Sequence, residues 1–289
     1  MSEKQSKIGN LIVRSITGVL FVAAIVTCFL DAMAMEMLFA IVTGLTMWEY
    51  GGLVNGVRGV TVNRFISTVA GVYLFLAVGG FCSGLVQTGA VFIPYLLTLV
   101  YLFVSELYAK NENAVNDWAY TMLGQMYVAL PLSMINVLAF NAATDGSIRF
   151  NYIIPLSIFI FLWTNDTGAY CTGSLIGRHK LFPRVSPAKS WEGSIGGAVL
   201  VMAASWIVGT YAIDHGADVL TVPQWLGLGL VVVVFGTWGD LVESLFKRTL
   251  GIKDSGTILP GHGGMLDRFD SSLMAMPAAV VYLYSLTLF

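Results

Sequence analysis

The chain has 289 residues, 56% of them hydrophobic and only 11% charged, with a formal net charge of −2 and three cysteines. A soluble domain carries about 25% charged residues, so a soluble globular protein is excluded. Disorder is excluded too, since it needs low hydrophobicity and high net charge. The charge balance argues against nucleic-acid binding, and Cys28, Cys82 and Cys171 have neither disulfide-framework nor metal spacing.

A spanning helix needs roughly 20 mostly apolar residues. Nine segments qualify, at about 11–30, 32–50, 65–81, 90–108, 118–140, 152–173, 194–213, 224–246 and 272–289. The second is the weakest, because Glu36 and Glu49 lie near its ends. The first is too long for a cleavable signal and lacks a small-residue cleavage site. The expected fold is therefore an all-α polytopic membrane protein of about nine transmembrane helices. No repeat or low-complexity tract marks a second domain.

Basic residues set the orientation. With a cytoplasmic N-terminus, fourteen of the fifteen lysines and arginines fall in the N-terminal tail, cytoplasmic loops or adjoining helix ends, and only Arg149 falls outside. The C-terminus, Phe289, is then expected outside.

The second half of the chain concentrates its charges. One cluster runs Arg178-His179-Lys180 … Arg184 … Ser186-Pro187-Ala188-Lys189-Ser190-Trp191-Glu192-Gly193. The second runs from Gly239-Asp240 to Asp270. Within it, Asp240, Glu243 and Lys247 are spaced to share one helical face. They follow the apolar run 228–238, where charge is expensive and faces a cavity or a partner. Gly261-His262-Gly263-Gly264 allows close backbone approach to a phosphate. A helix from about Met265 would place Asp267 and Asp270 on one face. With Asp240 these supply hard oxygen ligands for Mg²⁺, and Lys247, Arg248, Lys253 and Arg268 neutralise phosphates. Carboxylates, metal, phosphates and cations together suit phosphoryl or nucleotidyl transfer. Asp166 lies inside the sixth apolar run beside Asn165, where an aspartate is expected to be functional or paired. Gly173, Gly177, Gly193, Gly196 and Gly197 are expected to let helices pack closely.

These residues carry a resemblance. Ser244-Leu245-Phe246-Lys247-Arg248, Lys253-Asp254-Ser255-Gly256, Leu259-Pro260-Gly261-His262-Gly263-Gly264 and Leu266-Asp267-Arg268-Phe269-Asp270-Ser271 resemble the C-terminal signature of the phosphatidate cytidylyltransferases, the CDP-diacylglycerol synthases. Ser186-Pro187-x-Lys189-Ser190-x-Glu192-Gly193 resembles a second family motif, Asn165-Asp166-Thr167-Gly168-Ala169-Tyr170 a third, and Trp48-Glu49-Tyr50 a weaker one. The resemblance covers 160–272 closely and the rest only in hydropathy.

The resemblance implies that CTP and phosphatidate give CDP-diacylglycerol and pyrophosphate, in phospholipid biosynthesis. It implies an integral membrane enzyme of the cell inner membrane, its active site facing the cytoplasm, using Mg²⁺ and in some members K⁺, and in some a homodimer. Residues 1–289 then form one membrane domain, with N-terminal helices in 1–150 and the catalytic helices and two cytoplasmic loops in 151–289. Asp240 and Asp270, then Asp267, are the expected metal ligands. Lys189, Lys247, Arg248 and Arg268 are expected on phosphates, with Ser186, Ser190, Ser244, His262, Gly263 and Gly264 at the substrates. Asn165 and Asp166 are expected to line the same cavity. The competing readings are a CTP-dependent polyprenol kinase, which needs a general base for a lipid hydroxyl, and a transporter, which does not explain charge gathered on one face.

Overall fold

A computed structural model describes residues 3–142, 146–214, 220–258 and 263–286, with side chains from Ile16 onward in the first helix. The order is α1 (Glu3–Cys28), α2 (Ala32–Val54), α3 (Arg64–Cys82), a 3-10 turn (Gly89–Phe92) leading into α4 (Ile93–Ala109), α5 (Ala114–Gly124), a π turn (Gln125–Ala129) and α6 (Leu130–Ala139). There follow β1 (Phe140–Ala142), β2 (Ile148–Phe150), α7 (Ile153–Ile176), β3 (Lys180–Phe182), β4 (Ser186–Ser190), α8 (Trp191–Asp214), α9 (Val222–Thr249) and α10 (Leu266–Leu286). The architecture is that of an all-α polytopic membrane protein: among the described residues, seven helical rods are long and apolar enough to cross a bilayer. These are α2, α3, the 3-10 turn with α4, the continuous rod 114–139, α8, α9 and α10. α7 falls short because Thr164-Asn165-Asp166-Thr167 interrupts its apolar run.

Two antiparallel hairpins, β1–β2 and β3–β4, interrupt the helices. Strands of three to five residues are too short to leave a period-two signal. The last helix starts at Leu266, one residue from the expected Met265 and six before the apolar run at 272, so Asp267 and Asp270 belong to it.

The chain divides into two compact units, Met1–Asn136 with Ile252–Phe269, and Val137–Gly251 with Asp270–Phe289. In the first, polar side chains start the helices: Asp31 accepts from Ala34 N–H at 2.9 Å and Asn63 from Ile66 N–H at 3.1 Å. Each satisfies an amide that the helix leaves unpaired. Pro131 has no N–H for the helical ladder, and the π turn just before it absorbs the mismatch. Gln125, in that turn, donates to Ser67 O at 2.8 Å. Phe39, Phe75, Met47, Tyr50, Leu132 and Ile135 fill the core.

In the second unit α7 and α8 pack backbone to backbone. A Cβ on Gly168 would stand 2.9 Å from Gly197 Cα, and one on Gly197 would stand 2.8 Å from Asn165 O. The sequence expectation of close packing at Gly193 and Gly197 is met, and small residues at such a crossing are what packing in lipid favours.

Candidate active site

The hairpin β3–β4 presents the first charged cluster. Lys180 pairs with Ser190 and Phe182 with Ser186. Glu192, at the start of α8, closes the hairpin base. Its carboxylate accepts from Arg178 N–H at 3.1 Å and His179 N–H at 3.2 Å, and meets His179 Nδ1 at 2.6 Å. Ser190 is buried and caps α8, its Oγ accepting from Gly193 N–H at 3.2 Å. That leaves Lys189, one residue earlier, half-buried, its ammonium 2.5 Å from Asp240 Oδ2 of α9.

Asp240 also accepts from Ser244 Oγ at 3.2 Å, one helical turn on. Beside it, Gly239 brings α10 close, for a Cβ there would stand 2.7 Å from Asp270 O. Asp270 lies near enough to Asp240, Asp166 and Lys189 to feel their charges. Three carboxylates and a lysine therefore gather in this unit, although 74 residues separate Asp166 from Asp240.

A cavity of 270 Å³ opens at this point, lined by Asn165, Asp166, Tyr170, Lys189, Ser190, Ser194, Thr237 and Asp240 among others. Sequence reasoning named five of these residues. Asp166, expected inside the sixth span and facing a polar cavity, lies midway along α7 and is among the lining residues. Thr237 and Ser194 were missed, although Thr237 lies one helical turn before Asp240, a spacing that puts it on the same face. Asn165 Nδ2 reaches Thr237 Oγ1 at 3.5 Å. A larger cavity of 340 Å³ lined by Val137, Leu138, Ile154, Gln224 and Tyr284 has no acidic, basic or histidine side chain in its lining and offers no such chemistry.

Other expected residues are placed differently. Lys247 pairs at 2.6 Å with Glu243, which is fully buried, so its ammonium first neutralises an internal carboxylate. Arg248 and Arg268 are exposed, as phosphate donors need to be. Ser186 is half-buried in β4. Asp267 Oδ2 is engaged by Ser255 N–H at 3.0 Å and Gly264 N–H at 2.8 Å. Gly263 has φ +85°, which an L side chain rarely adopts, and Gly264 is buried. His262 lies outside the described residues.

Among the described residues no group of three or more His, Cys, Asp or Glu is arranged to hold a metal ion. The donor set nonetheless suits Mg²⁺, which takes one or two carboxylates and completes its octahedron with water and substrate phosphates. Asp240 and Asp270 could supply the two carboxylates, with Lys189 beside them for a phosphate, and among the described residues no nucleophile–base pair is evident at the cavity.

Comparison with known proteins gives the family. The family model described as "Cytidylyltransferase family" matches residues 12–286. A Staphylococcus aureus (strain COL) protein named phosphatidate cytidylyltransferase is 33% identical over 266 residues, 92% of this chain and 96% of that protein. Proteins of the same name from Staphylococcus haemolyticus and Staphylococcus epidermidis are 33% and 32% identical over the same shares. With a family match over residues 12–286 and named relatives aligned over 92% of its length, the chain belongs to the cytidylyltransferase family.

Proposed function

We infer that this membrane enzyme transfers the cytidylyl group of CTP to phosphatidate, forming CDP-diacylglycerol and pyrophosphate. The observation that carries the reading is the Lys189–Asp240 pair in a cavity shared with Asn165 and Asp166, with Asp270 of α10 brought close at Gly239. A phosphatidate oxygen attacks the α-phosphorus of CTP in line. A new P–O bond forms as the α–β bond breaks, and pyrophosphate carries the electron pair away. The lipid phosphate is already anionic, so no general base is required. Catalysis is then positioning and charge stabilisation.

Asp240 and Asp270 would hold Mg²⁺, which when bound neutralises phosphate charge and orients the polyphosphate. Asp267 is the next candidate ligand, with one oxygen already on two amides. K⁺ as a second ion and a homodimer as the assembly belong to the same proposal. Lys189 exchanges its partner Asp240 for a phosphate oxygen as substrate arrives. Arg248 and Arg268 hold the leaving pyrophosphate, Arg268 with a two-pronged fork. Lys247 sits at the cluster's edge and supports it through Glu243. Ser186, Ser190, Ser244, Asn165 and Asp166 orient the substrates, with His262, Gly263 and Gly264 at the phosphates.

We further propose nine spans, α1 and α7 among them, in one membrane domain whose second half, 151–289, carries most of the catalytic groups. α7 is 24 residues long, enough at about 1.5 Å per residue to cross a core of about 30 Å. The basic-residue distribution puts the N-terminus and active site on the cytoplasmic side of the inner membrane and the C-terminus outside.

The test is turnover in detergent with CTP labelled at the α-phosphate. Labelled CDP-lipid and released pyrophosphate are expected. A phospholipid with labelled CDP would indicate a kinase instead, and absence of turnover would overturn the reading.

A further inference from the structure

Glu49 stands in α2 and is 6% exposed. A carboxylate so buried costs several kcal/mol unless it is fully hydrogen-bonded. This one is. Met265 N–H donates to its Oε2 at 2.9 Å, Leu266 N–H to its Oε1 at 3.1 Å, and the Ser255 hydroxyl to Oε1 in a short contact. Two glycines make the room: a Cβ at Gly256 would stand 2.5 Å from Oε2, and one at Gly264 would collide with Oε1.

The donors are informative. Met265 and Leu266 carry amides at the start of α10, which a helix leaves unpaired and which attract anions. In this protein an internal carboxylate fills that place, so substrate phosphates must be met elsewhere than at these two amides. The network continues outward. Ser255 Oγ, while donating to Glu49, accepts from Asp267 N–H at 3.3 Å, and Asp267 Oδ2 accepts from Ser255 N–H and Gly264 N–H. Phe269, 1% exposed, packs edge-on against Phe39 at 6.0 Å and Phe21 at 5.8 Å. Ser255 and the Met265–Leu266 turn, both within the signature segment, are thus tied to one buried charge, and Arg268 extends from the fixed turn.

We propose that Glu49 is a positioning residue for the transfer reaction: it occupies the anion site at the start of α10 and clamps the Ser255–Gly256 turn to it, fixing how Arg268 and the carboxylates of that helix meet the nucleotide. The proposal rests on the transfer reading for its catalytic consequence and on geometry alone for the clamp.

The experiment compares purified wild type, Glu49→Gln and Ser255→Ala in detergent, by steady-state kinetics and by hydrogen exchange of the peptide containing Met265 and Leu266. Glu49→Gln keeps the shape but sets an amide NH₂ against a backbone N–H. Its kcat should fall about tenfold or more, while KM for CTP moves less than about threefold. Exchange should rise at residues 263–268 and stay unchanged in α7 and α8. Ser255→Ala removes one donor and should shift both readouts in the same direction by less, which keeps the test open if Glu49→Gln does not fold. Wild-type kcat in Glu49→Gln, or a loss of kcat with exchange rising throughout the chain, would overturn the proposal. If wild type itself makes no CDP-lipid, the transfer reading fails while the exchange data still decide the clamp.

Discussion

Asp240→Asn separates two jobs assigned to one carboxylate, one seen and one proposed. Asp240 holds Lys189 at 2.5 Å and is proposed to ligate the cation. At an effective dielectric of about 20 the bare attraction at this distance is about 7 kcal/mol. Both side chains are roughly a quarter exposed (26% and 27%), so most of that is offset by hydration and ordering, leaving about 1 kcal/mol of stability. The melting temperature should therefore fall by only about 2–4 °C. Loss of a cation ligand is larger: kcat should drop about 10²–10³-fold, or about 3–4 kcal/mol in the barrier. Lys189→Met breaks the same pair and leaves the ligand. It should melt like Asp240→Asn yet retain more activity, with KM for CTP or phosphatidate raised. The double variant decides the matter. If Asp240 serves only to hold Lys189, the double variant will match Lys189→Met. If it ligates the cation, the double variant falls about two decades lower. The assay is steady-state CDP-lipid formation at saturating Mg²⁺ with parallel melts. Asp240→Asn within tenfold of wild type, or a double variant equal to Lys189→Met, would refute the assignment.

Arg268→Lys keeps the charge but loses the fork, so kcat should fall about tenfold, ~1.4 kcal/mol, with a smaller change in KM for CTP; unchanged kcat with altered melting would mean Arg268 only braces its helix. Gly197→Ala places a methyl 2.5 Å from Asn165 Oδ1 and 2.8 Å from its carbonyl. It should cost about 1–3 kcal/mol in a melt, whereas Gly89→Ala, with nothing within 4 Å, should be silent; equal melts would contradict the packing. A cysteine at Arg184 should label from the cytoplasm alone, and a reporter after Phe289 should read non-cytoplasmic; a cytoplasmic reporter would exclude nine spans.

The legible features obey local rules, and the missed ones depend on distant partners. Apolar run length located the helices because lipid leaves few alternatives to a helix of that length. Dense charge in an otherwise apolar chain located Asp240, Lys189 and Asp166, because charges near a bilayer need a reason. The capping role of Ser190 was also local, three residues from Gly193, yet its hydroxyl was read as a substrate ligand because a serine in a charged loop suits both. Burial was less legible: the polar turn of α7 at Asp166 can be read from the sequence, but that it shares a cavity with Thr237 and Ser194 depends on helices far along the chain. Glu49 was the hardest to see. A glutamate in a weak echo, 216 residues from Met265, gives no sign along the chain that it will serve another helix's first turn. The one clue was the need itself: Gly264 precedes a helix with no serine, threonine or asparagine immediately before it to cap its amides. A helix N-terminus without a local cap implies a distant acceptor, and in a chain this poor in charge a carboxylate within a span, such as Glu49, is a natural place to seek it.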